Sequence, residues 1–217
     1  MSLQVIDWLP ATVCRWAPLP LAVEPPLPAA EADLITDVAE RRRSHFVAGR
    51  VCARAALAGL GLADVVIGRT ADGAPAWPVD CVGSIAHCGR AAVAITALVR
   101  DWAALGIDIE VDRALPEDAA AYVLSTAERD DLAALPGGLA RWALPAFGAK
   151  ECLHKCLQPL SGMFLEFAEV AIRFEPGPEH FRVEAQSARA REAMAGRHWH
   201  GELRRVDGLL LSLLAAR

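Results

Sequence analysis

The stretch that most constrains the fold of this chain is Gly106-Ile107-Asp108-Ile109-Glu110. Side chains alternate between the two faces of a β-strand, so Ile107 and Ile109 point one way while Asp108 and Glu110 point the other. Like charges at neighbouring positions of one face repel, which favours either a well-solvated edge strand or a cation bound between the two carboxylates. Both interpretations stay open on this stretch alone, and a hard divalent ion such as Mg²⁺ is the functional one.

A second polar group follows in residues 147–155, which read FGAKECLHK. Glu151 and Lys155 are four residues apart, so on a helix they face the same way and lie within reach of each other. Such a pair is usually a solvated ion pair. Here small or apolar residues surround it, and with Lys150 it would bring a third carboxylate and two ammonium groups towards Asp108 and Glu110. Three acids with lysines are typical of a site for a metal ion and phosphate.

Two helices are predicted in residues 31–60, and the basic one contains Arg42, Arg43, Arg50 and Arg54. The spacing puts Arg43, Arg50 and Arg54 on one helical stripe, with Arg42 one step round. A solvated helix face is the ordinary explanation. In an acidic protein, a cluster of guanidinium groups also suits a small phosphorylated ligand, because the guanidinium fork matches the geometry of phosphate.

Helical and strand patterns together predict an α+β fold. Buried strands are predicted at residues 91–99 and 105–111, and further strands at 167–174, 181–185, 198–203 and 208–214, with turns at 176–178 and 207–208. The proline-rich residues 10–30 predict an extended surface connection outside helices and central strands. His87, three residues after Ser84, is predicted on a tight loop before a strand.

Two helices are predicted in the second half of the chain. The capping-box sequence Ser125-Thr126-Ala127-Glu128 predicts the start of a helix that runs to about residue 135. A long helix over residues 139–158 is expected to break or kink at Pro145, because proline removes a helical hydrogen bond.

Composition excludes several classes of protein. The chain has 217 residues, of which 54% are hydrophobic and 23% charged, enough for a real core and unlike a disordered chain. The longest stretch without charge, Cys156 to Leu165, is far shorter than the ~20 apolar residues of a membrane span. The start shows no export signal, so we expect a cytoplasmic protein. A net charge of −5 gives no general attraction to nucleic acid or anionic lipid.

Six cysteines without an export signal predict reduced thiols and no disulfide framework. The nearest approach to a metal cluster is Cys152, His154 and Cys156, which lack the paired Cys-x-x-Cys spacing of structural zinc. We therefore expect buried or neutral cysteines in place of a zinc site.

At these residues the chain resembles the 4'-phosphopantetheinyl transferases of the surfactin-synthetase-activating type, and among them the enterobactin synthase component D branch. Five ordered motifs carry the resemblance: Arg42 with Gly49-Arg50, Gly73-x-Pro75-x-Trp77-Pro78, Ser84-x-x-His87-Cys88-Gly89, Gly106-Ile107-Asp108-Ile109-Glu110, and Phe147-x-x-Lys150-Glu151-x-x-x-Lys155. The chain departs from the family at Ala86, where Ser or Thr is usual, and at Asp72, where some relatives carry a basic residue.

The resemblance implies two similar α/β lobes, residues 1–104 and 105–217, related by pseudo-twofold symmetry with coenzyme A in the cleft between them. It implies an Mg²⁺-dependent enzyme that moves 4'-phosphopantetheine from coenzyme A to a serine of an acyl or peptidyl carrier protein and releases adenosine 3',5'-bisphosphate. Such enzymes activate fatty acid, polyketide or nonribosomal peptide synthases, siderophore synthases such as that of enterobactin among them. We expect a monomer that has no membrane span and binds no nucleic acid.

The resemblance also assigns residues. Mg²⁺ would be held by Asp108, Glu110 and Glu151. Glu151, directly or through a metal-bound water, would be the base, Lys155 the partner of the pyrophosphate, and Lys150 a support for the same region. The coenzyme would be bound at one end by Asp108, Lys150 and Lys155, and at its 3'-phosphate end by Arg42, Arg50 and His87, with Ser84 beside them.

Two alternatives come from other functional classes. A metal-dependent nuclease or phosphohydrolase also has an acidic pair on a strand followed by Glu and Lys. The acidic net charge and the lack of a basic, aromatic surface argue against nucleic acid as the substrate. A coenzyme-binding module without catalysis would not need Glu151 and Lys155 placed together.

Overall fold

The computed structural model describes residues 3–175 and 180–217, so the turn predicted at residues 176–178 lies outside the described residues. The first half forms a four-stranded antiparallel sheet, whose strands in spatial order are β1 (Gln4–Ile6), β2 (Thr12–Pro18), β6 (Ala91–Leu98) and β5 (Cys81–His87). A small two-stranded ribbon consists of β3 (Gly68–Arg69) and β4 (Pro75–Ala76).

The second half forms a five-stranded antiparallel sheet. Its strands in spatial order are β7 (Ala104–Val111), β11 (Leu209–Ala216), β10 (Trp199–Val206), β9 (His180–Ala185) and β8 (Val170–Phe174). The hairpin between β10 and β11 turns at Asp207 and Gly208, whose φ angles of 52° and 72° lie in the left-handed region that suits an Asp-Gly turn. The strands predicted at residues 91–99 and 105–111 and this turn are confirmed.

The helices lie on the outer faces of the two sheets and in the connections. They are α1 (Ala29–Ala32), α2 (Glu40–Gly59), α3 (Glu117–Val123), α4 (Thr126–Ala134), α5 (Gly138–Ser161) and α6 (Ala188–Met194), with 3-10 turns at Asp33–Ile35 and Phe167–Glu169. The predicted capping box is confirmed, because Ser125 Oγ accepts a hydrogen bond from Glu128 N while Glu128 Oε2 accepts one from Ser125 N. The predicted α+β class is confirmed as well.

The two sheets pack face to face and each carries one long helix on its other face. Val93 and Ile95 of β6 share an apolar cluster with Ile107, Ile109 and strand β11, so the predicted buried face of β7 lies between the sheets. Both isoleucines of β7 are fully buried.

Each long helix closes its own sheet. Helix α2 packs Val51 and Leu57 against the outer face of β6, and α5 packs Leu153 and Cys156 against the outer face of the second sheet. The order of layers is therefore helix, sheet, sheet, helix. The division into lobes at residues 104 and 105 stays a prediction; β6 ends at Leu98 and β7 begins at Ala104.

Two local predictions were wrong. The proline-rich stretch contains β2, because Thr12 to Ala17 lie between prolines and pair along their whole length with β6. Pro18 is the last residue of the strand, a position where its missing N–H is tolerated. A break at Pro145 is wrong as well, because helix α5 runs as one element through Pro145 and Pro159, and the alternative of a kink stays a prediction.

No helix in the described parts of the chain is both long enough and apolar enough to cross a membrane.

Candidate functional site

The acidic pair of β7 faces helix α5. Asp108 lies opposite Ser212 of β11 in the sheet, on the face away from the isoleucines. Asp108 is 7% exposed, and Glu110 next to it on the same face is half-buried. β7 is the edge strand of its sheet, but its acidic face is not solvated as the first interpretation expects, because helix α5 covers it.

Two glycines bring α5 close to this face. A Cβ on Gly106 of β7 would lie 2.0 Å from the carbonyl oxygen of Cys152, so the helix backbone lies directly over the strand. A Cβ on Gly148 of α5 would lie 2.5 Å from Ser212 Oγ and 3.4 Å from Asp108 Oδ2. Glycine at both positions therefore lets the carboxylate of Asp108 lie against the helix surface.

Helix α5 brings Glu151 and Lys155 to the same place. Lys155 Nζ donates hydrogen bonds to Asp108 Oδ1 and to the carbonyl oxygen of Ile107, both at 2.8 Å. Its closest carboxylate is thus Asp108, and Glu151 interacts with the group through charge. We call Asp108, Glu110, Glu151 and Lys155 the acidic group.

The acidic group carries more negative than positive charge. Burial raises the pKa of Glu110 to about 7, and Asp108 adds to the rise although Lys155 acts against it. Burial also raises the pKa of Glu151, where Lys155 lowers it and Asp108 raises it. Burial is the largest single effect and lowers the pKa of Lys155, but the combined effect of Asp108, Cys152 and Glu151 outweighs it and the net shift is upward. Three carboxylates with one ammonium favour either a proton or a bound cation.

The residues of the acidic group fit a hard divalent cation. Asp108 Oδ2 is buried and accepts no hydrogen bond from the described residues, so it offers an open lone pair at a costly position. Carboxylate oxygens are the ligands that Mg²⁺ prefers. The ligand oxygens of the three carboxylates do not all lie within 4.8 Å of one another, so they do not form a closed set of ligands around an ion. This spacing suits Mg²⁺, which commonly keeps waters and substrate oxygens among its ligands.

Lys150 does not join the acidic group, which corrects the catalytic and coenzyme-binding roles predicted for it. Its ammonium is fully buried and donates to Glu128 Oε2 at 2.8 Å and to the carbonyl oxygens of Val123 and Phe167. Neighbouring residues on a helix point about 100° apart, so Lys150 and Glu151 face different surroundings. Lys150 joins α5 to the capped start of α4 and to the turn before β8.

A pocket of about 800 Å³ opens beside α2, within the size range of roughly 300–1,000 Å³ typical of small-molecule sites. No acidic residue among the described parts of the chain lines it. The basic side chains that line it are Arg41, Arg42, Arg50, Arg69, His45 and His87. This concentration of donors in an acidic protein favours an anionic ligand.

Arg50 lies at the base of this pocket and is 4% exposed. Its Nη2 donates to the carbonyl oxygen of Gly68 at 2.9 Å, and its guanidinium stacks 4.7 Å from the ring centre of Phe46. Its Nε finds no hydrogen-bond partner among the residues that the structure describes. Burial lowers its pKa to about 10, with Arg69 adding to that effect. An anion in the pocket would satisfy the free donor and offset the crowding of positive charge.

Two imidazoles lie on the wall of the pocket. The rings of His45 and His87 are 4.7 Å apart. Burial lowers the pKa of both, helped by Arg41 at His45 and by the facing ring at His87. The charges of Lys155 and Asp108 also act on His87, so the pocket adjoins the acidic group.

Three placements differ from the sequence-based prediction. His87 is the last residue of strand β5 and does not lie on a loop. Ser84 does not line the pocket; its buried hydroxyl accepts a hydrogen bond from Ile107 N at 3.1 Å and so joins the two sheets. Arg54 pairs with buried Glu31 and does not line the pocket, so it does not act with the other arginines of the predicted stripe.

Sequence reasoning missed His45, Arg41 and Arg69. The helical face that lines the pocket follows a regular spacing that was available in the sequence: Arg42, His45, Phe46, Gly49 and Arg50, at steps of three, one, three and one. That spacing would have identified His45 but not Arg69, which reaches the pocket from β3.

The free cysteines show ordinary packing. All six are unpaired and buried. Cys152 and Cys156 each donate a hydrogen bond to a carbonyl oxygen of β11, and burial raises the pKa of both thiols. His154 stacks between Phe164 and Phe167, at 4.7 and 5.1 Å.

Two family models match the chain. One is described as the 4'-phosphopantetheinyl transferase N-terminal domain and matches residues 30–97; the other is described as the 4'-phosphopantetheinyl transferase superfamily and matches residues 104–205. Together they cover more than half of the chain. The gap between them falls where the first sheet gives way to the second.

Curated relatives agree with these models. The chain is 40% identical over 146 residues to 4'-phosphopantetheinyl transferase Npt of Nocardia iowensis, which is 67% of this chain and 65% of that protein. It is 35% identical over 150 residues to PptT of Mycobacterium tuberculosis, covering 69% of this chain and 66% of that protein. It is 33% identical over 127 residues to enterobactin synthase component D of Salmonella typhimurium, covering 57% of this chain and 51% of that protein. The match to the Nocardia protein therefore spans slightly less than two thirds of its length.

Proposed function

The chain belongs to the 4'-phosphopantetheinyl transferase superfamily, and we propose that it transfers the 4'-phosphopantetheine group of coenzyme A to a serine of an apo carrier protein. The products are the holo carrier and adenosine 3',5'-bisphosphate. One observation carries the proposal: strand β5 ends at His87, which lines the arginine-rich pocket, and through Ser84 it is hydrogen-bonded to Ile107, the residue before Asp108. A site for an anionic ligand thus adjoins a site for a cation. Membership of this superfamily argues against the nuclease or phosphohydrolase alternative.

The pocket supports binding of the nucleotide end of coenzyme A. Arg42 and Arg50 would bind the 3'-phosphate with His87 and His45 beside them, since phosphate needs several charge-assisted donors. Both imidazoles have a lowered pKa without a ligand, and a phosphate next to them would favour their protonated, donating form.

The acidic group supports binding of a cation and of the pyrophosphate. Asp108, Glu110 and Glu151 would hold Mg²⁺. When bound, the ion would act as a Lewis acid that offsets the negative charge of the pyrophosphate oxygens. Lys155 is held at Asp108 and would contribute its ammonium to the same phosphate oxygens. The unsatisfied Asp108 Oδ2 supports this assignment of the metal ligands.

Glu151 is the residue best suited to accept the proton of the serine. Burial raises its pKa in the chain without a metal, and a cation held by Glu151 would act in the opposite direction, so its place in the acidic group carries the assignment. As the serine oxygen bonds to the β-phosphorus, the bond from that phosphorus to the bridging oxygen breaks, and adenosine 3',5'-bisphosphate leaves with the electron pair. Glu151 takes the hydroxyl proton, so charge and atoms balance.

Ser84 and Lys150 would act as supports of this site. Ser84 holds β7 against β5 through Ile107 N, directly beside Asp108, and Lys150 holds α5 against Glu128 of α4. Neither needs to contact the coenzyme to affect its binding.

The partners follow from the reaction. We propose acyl or peptidyl carrier proteins of fatty acid, polyketide or nonribosomal peptide synthases, including siderophore synthases, since one relative is named enterobactin synthase component D. We further propose a monomer with lobes at residues 1–104 and 105–217. The cytoplasm is the proposed compartment, because six free thiols suit reducing conditions.

The test is the intact mass of an apo carrier protein after incubation with the purified chain, coenzyme A and Mg²⁺. We expect a gain of one phosphopantetheine on the carrier serine, none on a carrier whose serine is alanine, and none with Glu151→Gln. A panel of acyl and peptidyl carriers that all stay unmodified, while coenzyme A binds the protein, would refute the proposal.

A further inference from the structure

Three side chains with metal-binding atoms meet on the second sheet, far from the motifs of the proposed transferase. His180 of β9 and His200 and Glu202 of β10 place one ligand atom each within 4.8 Å of the other two. His180 lies directly opposite Glu202 in the sheet register, and His200 is two residues before Glu202 on the same strand face. The sheet pairing itself therefore brings the three together.

This histidine group is separate from the acidic group. Across the sheet, Glu202 lies opposite Leu213, and Leu213 lies opposite Ile107, so these residues share one face. Asp108 lies opposite Ser212 on the other face. The histidine group and the proposed Mg²⁺ ligands are thus on opposite faces of one sheet and two or more strands apart.

Arg204 helps to hold the carboxylate of Glu202 in position, and the same carboxylate contacts His200, the other proposed ligand on β10. Glu202 Oε1 lies 2.7 Å from His200 Nε2, while Glu202 Oε2 lies 3.6 Å from Arg204 Nη2. The guanidinium of Arg204 in turn stacks 4.6 Å from the ring centre of Trp8. Partners that orient a ligating carboxylate are typical of metal sites, because they fix the ligand before the ion binds.

A metal ion can reach the histidine group from solvent. The side chain of His200 is 43% exposed and that of Glu202 13%, so the imidazole is open to solvent while the carboxylate is largely shielded. The rings of His180 and His200 are 5.8 Å apart at a steep angle of 66°, so they are not stacked flat against each other. A divalent ion entering from solvent would meet two imidazoles and one carboxylate.

We propose that His180, His200 and Glu202 form a binding site for a first-row transition metal ion, with Zn²⁺ as the probe of choice. Two imidazoles and a carboxylate suit Zn²⁺ and its neighbours, whereas Mg²⁺ prefers oxygen ligands throughout. Three protein ligands leave a coordination position for water or another ligand. This site goes beyond the proposed transfer reaction and does not depend on it.

The experiment is calorimetric titration of Zn²⁺ into the full chain without an affinity tag, near neutral pH and with excess Mg²⁺ to occupy the acidic group. We expect one saturable zinc per chain. His180→Ala and His200→Ala should each weaken binding by at least about tenfold, since even residues that only orient ligands contribute ten- to a hundredfold. His198→Ala, which removes an exposed histidine outside the group, is the matched control and should bind zinc as the unmodified chain does.

Acidification gives a second readout, because protonated imidazole cannot ligate and binding should weaken as pH falls. Circular dichroism checks that each variant is folded; if His200→Ala is not, the exposed His180→Ala decides. Absence of saturable zinc binding in the unmodified chain would overturn the proposal. Unchanged affinity in both histidine variants, or an equal loss in His198→Ala, would overturn it as well, because the zinc would then bind elsewhere.

Discussion

Replacing Lys150 by methionine tests whether this lysine supports the fold or takes part in the reaction. The ammonium of Lys150 is fully buried and donates to Glu128 Oε2 and to two backbone carbonyl oxygens, of Val123 and Phe167. Methionine fills a similar volume without the charge. The substitution leaves the buried carboxylate of Glu128 without its cation, although Glu128 still accepts hydrogen bonds from Ser125 N and Ile172 N.

The expected cost is large. Removing one partner of a buried ion pair typically costs about 3–5 kcal/mol, because the other charge stays buried and unpaired. That is a large share of the roughly 5–15 kcal/mol that stabilises an ordinary domain. Adding Glu128→Gln to Lys150→Met removes the stranded charge and should recover part of the loss.

Urea unfolding measures the free energy, and turnover per folded molecule at low temperature measures activity. Arg182→Met is the matched control: Arg182 pairs with Glu175 at 2.9 Å, but its side chain is 72% exposed, so we expect a change of less than about 1 kcal/mol. A cost below about 1 kcal/mol for Lys150→Met would refute the structural role. So would a stable variant whose turnover per folded molecule falls more than about tenfold, the size of a direct catalytic contribution.

Three further outcomes are expected. Asp108→Asn should lower kcat at least about a hundredfold, the loss expected when a metal ligand and its charge stabilisation are removed, while circular dichroism stays unchanged; near-normal turnover would exclude Asp108 as a ligand. Arg50→Ala should weaken the binding of coenzyme A by roughly ten- to a hundredfold and should weaken the binding of a coenzyme without the 3'-phosphate less. Equal losses of affinity for the two ligands, measured by calorimetry, would show that Arg50 does not bind that phosphate. Because the pKa of Glu110 is raised to about 7, the folded protein holds a proton that the unfolded chain releases above about pH 4.5, so stability without metal should fall as pH rises from about 4.5 through 7 and then level off. Glu110→Gln should remove that part of the slope, and an unchanged slope in urea titrations would contradict the raised pKa.

The strand that carries the acidic pair was predictable because alternation is a local property. Ile107 and Ile109 are fully buried between the sheets, and Asp108 is on the opposite face, as the two-residue period requires. The sequence pattern could not predict that helix α5 packs over the acidic face of this strand. The approach of α5 depends on Gly106 and Gly148, whose close contacts join residues forty or more positions apart.

The role of Lys150 could not be read from its neighbourhood in the sequence. Lys150 and Glu151 are adjacent, but the rotation of α5 on the sheet decides which of them meets Asp108. That rotation is set by packing along the whole helix. The partner of Lys150, Glu128, is 22 residues away in a separate helix whose own start was correctly predicted.

The basic helix was predictable and its functional face was not. Arg43, Arg50 and Arg54 share a helical spacing, yet Arg54 pairs with Glu31 and the pocket lies along Arg42 and Arg50. Periodicity identifies stripes on a helix, but several stripes compete when arginines are dense. The elements that face α2 decide which stripe lines the pocket: β5 through Ile85 and His87, and the β3–β4 ribbon through Arg69 and Pro75.

The most direct test of the proposed reaction counts both of its products. Carrier protein, coenzyme A, Mg²⁺ and the purified chain are incubated, and phosphopantetheine on the carrier is quantified by intact mass while adenosine 3',5'-bisphosphate is quantified by chromatography. We predict equal molar amounts of the two, both lost on chelation and restored by excess Mg²⁺. Release of adenosine 3',5'-bisphosphate without modification of the carrier would identify a hydrolase and contradict the transfer.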